Sequence, residues 1–334
     1  MSYLDTVRHR YTSVVEALGI FVISLAVLLF SAKFFVDSAA LLAEAAGISP
    51  VVIGMTVVAF GTSAPELVVN TLAAYRGETG LAFGNIAGSC IVNSGFVVAV
   101  TALIRPLRVE TSIITREIPM LIAAVAGLLI LSADNVLNRA DGLVLLLLFG
   151  IFLYYTAIYA AAKRALDGPD PFAEEIAAAA STRKPAAKDA LILLASLAAV
   201  SISAGYAVDA ASALARVFGM SESLIGLTIV SLGTTLPELT TCVIAARRGN
   251  ADIALGNVVG SNLFNIMAIG GSVAVTRAVP IPPGGQLDLA AMALLTVVLL
   301  PIAIRSGRQV TRGEGAFLLA LYLAYLTFRL TTQP

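Results

Sequence analysis

Histidine, cysteine, tryptophan and charge are all scarce in this chain. Of its 334 residues one is histidine, His9, two are cysteine, Cys90 and Cys242, none is tryptophan, and only 13% are charged. His9 precedes the first apolar run, so no imidazole is available at membrane depth as a metal ligand, proton relay or hydrolytic base. The two cysteines sit in apolar runs in different halves and read as small packing residues, not as a disulfide framework. The 21 basic and 21 acidic residues cancel, so nothing in the balance of charge suggests a nucleic-acid partner.

What fills the chain instead is apolar. Residues of hydrophobic type make up 58% and the mean hydropathy is +0.93, whereas a soluble domain carries about 25% charge. Apolar runs of ~20 residues recur along nearly the whole length, as helices crossing a bilayer require. The strands of a membrane barrel would alternate over ~10 residues instead. The expected class is an all-α polytopic membrane protein. Its spans are read at roughly 15–46, 50–75, 80–103, 112–132, 140–163, 188–218, 222–247, 252–275, 286–305 and 313–331.

The chain also repeats itself. Residues 54–93 and 226–265 align without a gap at an offset of 172, with 18 of 40 positions identical, where chance at this composition gives about 2 to 4. Each copy holds a Gly-Thr-(Ser/Thr)-x-Pro-Glu core: Gly61, Thr62, Ser63, Ala64, Pro65, Glu66, and Gly233, Thr234, Thr235, Leu236, Pro237, Glu238. Downstream come Gly84, Asn85, Gly88, Ser89 and Asn93, echoed by Gly256, Asn257, Gly260, Ser261 and Asn265. Asp37, Gly47 and Ser49 match Asp209, Gly219 and Ser221 at the same offset. The first apolar run follows Arg8, His9 and Arg10 as a signal peptide would, but its removal would delete half of a repeat.

Five spans per repeat is an odd number, so the second copy enters the membrane from the opposite side, an inverted arrangement found in many secondary transporters. The expected units are residues 1–164, a linker at 165–187, and residues 188–334. With both termini outside, inner loops hold Arg105, Arg108, Arg116, Lys163, Arg164, Arg183, Lys184, Lys188, Arg247, Arg248, Arg305, Arg308 and Arg312. The outer side keeps Arg8, Arg10, Arg76, Arg139, Arg216, Arg277 and Arg329. Thirteen against seven puts the linker in the cytoplasm. The linker, with Asp167, Asp170, Glu174 and Glu175, reads as a solvated tether, because it lacks the twelve-residue pattern of an EF-hand.

Glu66 and Glu238 lie inside apolar spans, where a charge costs at least ~2.5–3.5 kcal/mol and usually serves function. Pro65 and Pro237 each remove a ladder bond and crowd the carbonyl four residues back, on Gly61 and Gly233. Both helices are expected to break beside Thr62 and Thr234 and turn main-chain oxygens toward a cavity. Thr62 with Glu66, Thr234 with Glu238, Ser89 with Asn93, and Ser261 with Asn265 are each four apart and share a helix face. Ser63 and Thr235 add hydroxyls, while Gly84, Gly88, Gly256 and Gly260 read as small residues for close helix packing. The set is all oxygen, which suits hard cations, and Ca²⁺ takes 6–8 such ligands. Two carboxylates balance one Ca²⁺, two Na⁺ or two protons, so one load leaves when another replaces it.

These two motif copies resemble the α-repeats of the cation/Ca²⁺ exchanger superfamily, most closely the prokaryotic Na⁺/Ca²⁺ exchangers, over essentially the whole chain. The resemblance implies ten helices in two inverted repeats, with the second, third, seventh and eighth around the ions and the long first and sixth sliding against them. It implies that Glu66 and Glu238 ligate Ca²⁺ with the Thr62 and Thr234 carbonyls. Ser63, Thr235, Ser89 and Ser261 would flank as Na⁺ ligands, with the Ala59 and Ser231 carbonyls outermost. Asn93 and Asn265 take central amide positions, at one of which some relatives carry an acid. The implied protein is an antiporter of the plasma (inner) membrane of a prokaryote, extruding Ca²⁺ against Na⁺, with no cofactor, no enzymatic activity and no obligatory protein partner.

A Ca²⁺/H⁺ or K⁺-dependent exchanger on the same fold would use the same two glutamates, and the motifs do not decide the counter-ion. Two asparagines that cannot titrate favour Na⁺. An intramembrane Ser or Thr hydrolase lacks a base at depth, and a passive channel does not explain inverted repeats with broken helices. The roles of Asp37 and Asp209 are open: Lys33 stands four residues before Asp37, but Gly205 denies Asp209 the same partner.

Overall fold

The computed structural model describes residues 14–45, 59–109, 111–167, 187–248, 251–305 and 307–332. Within them the chain is helical apart from short connections. The helices are α1 (Val14–Ala45), α2 (Ala59–Arg76), α3 (Thr79–Ile104), α4 (Ile113–Leu131), α5 (Arg139–Asp167) and α6 (Ala187–Val217). There follow α7 (Glu222–Thr234), α8 (Leu236–Arg248), α9 (251–276), α10 (Gly285–Arg305) and α11 (Arg312–Thr331). Among the described residues eight of these are long and apolar enough to cross a membrane, and the bent pair α7 and α8 makes a ninth. The observed ends lie within a few residues of the expected spans where both are described. The stretches before 14, at 46–58 and at 168–186, with His9, Gly47, Ser49 and most of the expected linker, lie outside the described residues.

Burial sorts the helices into layers. In α3 and α9 78% and 83% of the apolar span is buried, against 11% in α5 and 22% in α11. The two motif-bearing helices downstream of the glutamates therefore form the centre, and α5 and α11 face the lipid. The long helices α1 and α6 pack along one another, and Leu25 of α1 reaches Gly233 of α7, where a Cβ would stand 2.5 Å from its Cδ2.

Local chemistry fixes the ends. Gly219, at φ +63°, supplies the left-handed residue that ends α6. The Ser221 hydroxyl then accepts the Leu224 N–H at 3.2 Å and caps α7. At α11 the reciprocal Thr311 and Glu314 pair closes a capping box.

Two short antiparallel ribbons tie the halves together. β1 (Leu107–Arg108) pairs with β4 (Gln309–Val310), and β2 (Val136–Leu137) with β3 (Val279–Pro280). Helix α4 leads from the first ribbon to the second, while α10 leads from the second back to the first. These two helices occupy equivalent places in the sequence repeat, yet run in opposite directions.

One expectation needs correction. Pro65 does not break its helix: α2 is continuous from Ala59 to Arg76, because a proline costs one ladder bond and the bonds on either side carry the turn. Pro237 behaves as expected, with Thr235 out of helical geometry and a 43° bend between α7 and α8. Arg329, counted on the outer side for orientation, is 1% exposed and bonds Asp288 at 2.6 Å through Nε. Arg76, counted likewise, is only 22% exposed and holds Asp209 at 2.7 Å.

Candidate functional site

The two glutamates meet at the centre of the bundle. Glu66 comes from α2 and Glu238 from the first turn of α8, each 1% exposed. Glu238 and Thr234 are the charged and hydroxylic neighbours of Glu66. The Ser63 hydroxyl of the first repeat donates to Glu238 Oε1 of the second at 3.2 Å, and Ser261 donates to the same oxygen at 3.4 Å. Hydroxyls and carboxylates from both copies are thus cross-braced 175 residues apart in sequence.

Close backbone approach makes this possible. A Cβ on Gly84 would collide with the Ser223 carbonyl, one on Gly88 would lie 2.6 Å from the Leu227 carbonyl, and one on Gly226 would strike the Leu81 carbonyl. Helices α3 and α7 therefore cross with glycine on both sides. The contact brings Asn85 to Thr234: Asn85 Oδ1 accepts Ser89 Oγ at 3.1 Å and Thr234 Oγ1 at 3.4 Å. Val51 and Met55, the equivalents of Ser223 and Leu227, lie outside the described residues.

The remaining expected positions divide. Thr235 Oγ1, Asn93 Oδ1, and both amide atoms of Asn265 are buried without a hydrogen-bond partner, as is Glu66 Oε2. The oxygens among these are the atoms a bound cation would satisfy, since buried oxygens left unpaired are costly. The Ser231 hydroxyl is turned onto its own helix, donating to the Leu227 and Thr228 carbonyls. Its carbonyl accepts the Thr235 N–H at 3.0 Å. Ala59 and Thr62 belong to α2, but their side chains lie outside what is described.

Three residues of this polar centre were not singled out in the sequence. Asn85 stands inside a repeated motif whose spacing alone assigns it no role. Asn70, whose Nδ2 donates to the Glu66 carbonyl at 2.8 Å, faces Cys242 in the repeat alignment. Asn262, bonded to Asn93 Nδ2 at 3.0 Å, faces Cys90. Comparison of the copies for identity hides both. The sequence also concealed the π-helical turns, two of which, Asn93–Val97 and Phe264–Ile269, lie at the site. They begin at, or one residue before, the two site asparagines and wind the backbone wider there, a distortion common at functional sites.

Residues 16–158 and 188–331 match the family described as sodium/calcium exchanger protein. The putative antiporter CaxA of Alkalimonas amylolytica is 38% identical, over 91% of this chain and 95% of its own. The inner membrane protein YrbG of Escherichia coli K12 is 32% identical, over 95% and 98%. Among solved structures, the sodium-calcium exchanger NCX_Mj soaked with 10 mM Na⁺ and 10 mM Sr²⁺ superposes with a TM-score of 0.64 at 29% identity, covering 94% of this chain and 99% of that one.

Proposed function

Because the chain belongs to the sodium/calcium exchanger family, in the prokaryotic branch of the cation/Ca²⁺ exchangers, we propose that it exchanges Na⁺ for Ca²⁺ by alternating access and extrudes Ca²⁺. The observation that carries this reading is the bond from Ser63 of one repeat to the Glu238 carboxylate of the other. It gathers both glutamates and the hydroxyls of both copies into one all-oxygen set, and hard cations prefer such a set. On this reading Glu66 and Glu238 ligate Ca²⁺ with the Thr62 and Thr234 carbonyls. Ser63, Thr235, Ser89 and Ser261 hold Na⁺ beside them with the Ala59 and Ser231 carbonyls, and Asn93 and Asn265 complete the centre. The ions are cargo; no resident cofactor and no chemical conversion is involved.

The same reading takes the fold as ten membrane helices in two inverted repeats, residues 1–164 and 188–334. A cytoplasmic linker at 165–187 joins them in the inner membrane, with both termini outside. The opposite courses of α4 and α10 between the two ribbons support the inversion.

The test is Ca²⁺ uptake into proteoliposomes preloaded with Na⁺, beside K⁺-loaded and proton-gradient controls, for the wild type, Glu66→Gln and Glu238→Gln. Uptake is expected to require internal Na⁺ and to fall to background in both variants. Uptake driven by protons without Na⁺ would assign the protein to Ca²⁺/H⁺ exchange. Gradient-driven uptake that survives both substitutions would overturn the site.

A further inference from the structure

Asn93 and Asn265 stand at equivalent positions, yet their amides are held differently. Asn93 Nδ2 donates to Asn262 Oδ1 at 3.0 Å, whereas Asn265 has no hydrogen-bond partner for either amide atom. The reason lies three residues upstream in each copy. Cys90 and Asn262 are themselves equivalent at the offset of 172 and touch one another: Asn262 Nδ2 lies 3.4 Å from the Cys90 carbonyl, and Cys90 Sγ lies 4.0 Å from the Asn262 carbonyl. Two equivalent residues in mutual contact meet where the halves face each other, and here one is an amide and the other a thiol.

That contact sets a polarity. The Cys90 carbonyl can only accept, so Asn262 must turn its NH₂ toward it, where Ser94 Oγ also lies at 2.9 Å. Asn262 Oδ1 then faces Asn93 and can only accept, so Asn93 must present its own NH₂. Asn93 Oδ1 is left pointing away, buried and unpartnered, one turn along α3 from Ser89. No such chain of partners reaches Asn265, whose two amide atoms are both buried without a hydrogen bond.

We infer that Asn262 is a positioning residue for cation binding: it reads the Cys90 carbonyl and fixes the Asn93 amide with its oxygen toward the site, while the Asn265 amide is free to turn. This deepens the exchanger reading and rests on it. Asn262 contacts no ion in this scheme. The one locked acceptor and the one adjustable amide give the repeat-related halves unequal grips on the same cargo, although both carry Asn at the central position.

The experiment is Na⁺ and Ca²⁺ titration calorimetry on the purified full-length chain, for the wild type, Asn262→Ala, Asn93→Ala and the double variant. Asn262→Ala is expected to weaken Na⁺ binding about five- to tenfold, the size of one oriented hydrogen-bonding group. In the Asn93→Ala background it should add nothing, because there is no amide left to orient. A folded Asn262→Ala with wild-type affinity, or the same loss in both backgrounds, overturns the inference. A wild type that binds neither ion overturns the exchanger reading as well, so the two failures are distinct. Thermal melting without ions gives a measurement that needs no Asn262 variant. Asn93→Asp and Asn265→Asp add the same charge at equivalent positions, but only the first sets a carboxylate against Asn262 Oδ1. Asn93→Asp should melt several degrees below Asn265→Asp, and equal melting would overturn the orientation argued here.

Discussion

Arg329 shows how a residue changes meaning between sequence and fold. In the chain it sits near the end of the last apolar run and counts only as a basic residue of the outer side. In the structure Asp288 binds its Nε at 2.6 Å and its Nη2 at 3.3 Å, Tyr325 donates to the same carboxylate at 2.7 Å, and the Pro283 carbonyl takes a further N–H at 3.2 Å. The partner is 41 residues away and has no counterpart at the matching place in the first repeat, where Arg116 stands, so neither spacing nor repetition could reveal it. Removing one member of a buried pair strands the other, at about 3–5 kcal/mol, whereas replacing both with apolar residues of similar volume is often tolerated. Asp288→Ala or Arg329→Ala should therefore lower the melting temperature in detergent sharply, and Asp288→Leu with Arg329→Met should recover most of it. Equal melting of the single and double variants would refute this. Asp209 follows the same pattern more mildly: its partner is Arg76 on α2, not a residue of its own helix. Asp37 has no described side chain to compare with it.

At the scale of elements, the motif glycines of α3 carry more than their spacing revealed. Gly80, Gly84 and Gly88 recur every four residues and form one stripe, yet only part of it is indispensable. A Cβ on Gly80 would rest 3.6 Å from Glu222 Cβ, an ordinary contact, while one on Gly84 would collide with the Ser223 carbonyl. A backbone atom cannot swing aside as a side chain can, and overpacking costs about 1–3 kcal/mol or more. Gly84→Ala should separate α3 from α7, pull Asn85 from Thr234 and abolish uptake with a lower melting temperature. Gly80→Ala should keep transport and melt at or above the wild type, since alanine favours the helix by up to ~1 kcal/mol. Transport by a stable Gly84→Ala variant would refute the crossing as the site's scaffold. The sequence displayed Gly84, Gly88 and the paired prolines. It did not display which glycine meets a carbonyl, or why α2 runs through Pro65 while α7 stops before Pro237. It was equally silent on the π turns at the asparagines. Those depend on what packs alongside, information that a single chain read linearly does not contain.

For the molecule as a whole, the repeat made the architecture legible early, because 18 matched positions at one offset imply two copies of one unit whatever their contacts. What repetition cannot say is how the copies meet. The ribbons answer this at both ends of the bundle: the strand before α4 pairs with the strand after α10, and the strand after α4 pairs with the strand before α10. Helix α10 has 21 residues, long enough at 1.5 Å per residue to span a ~30 Å hydrocarbon core. The two ribbons consequently belong on opposite faces of the membrane. Ala133, beside β2, and Gly313, beyond β4, are both exposed, and Cys90 and Cys242 are buried and so shielded from a polar reagent. A membrane-impermeant maleimide applied to intact cells should label Ala133→Cys directly and Gly313→Cys only after the membrane is opened. The reverse pattern would invert the proposed orientation while leaving the ribbons on opposite faces. Labelling of both from one side would break the link between strand pairing and inverted repeats, and with it the argument that the two glutamates approach one cargo from opposite halves.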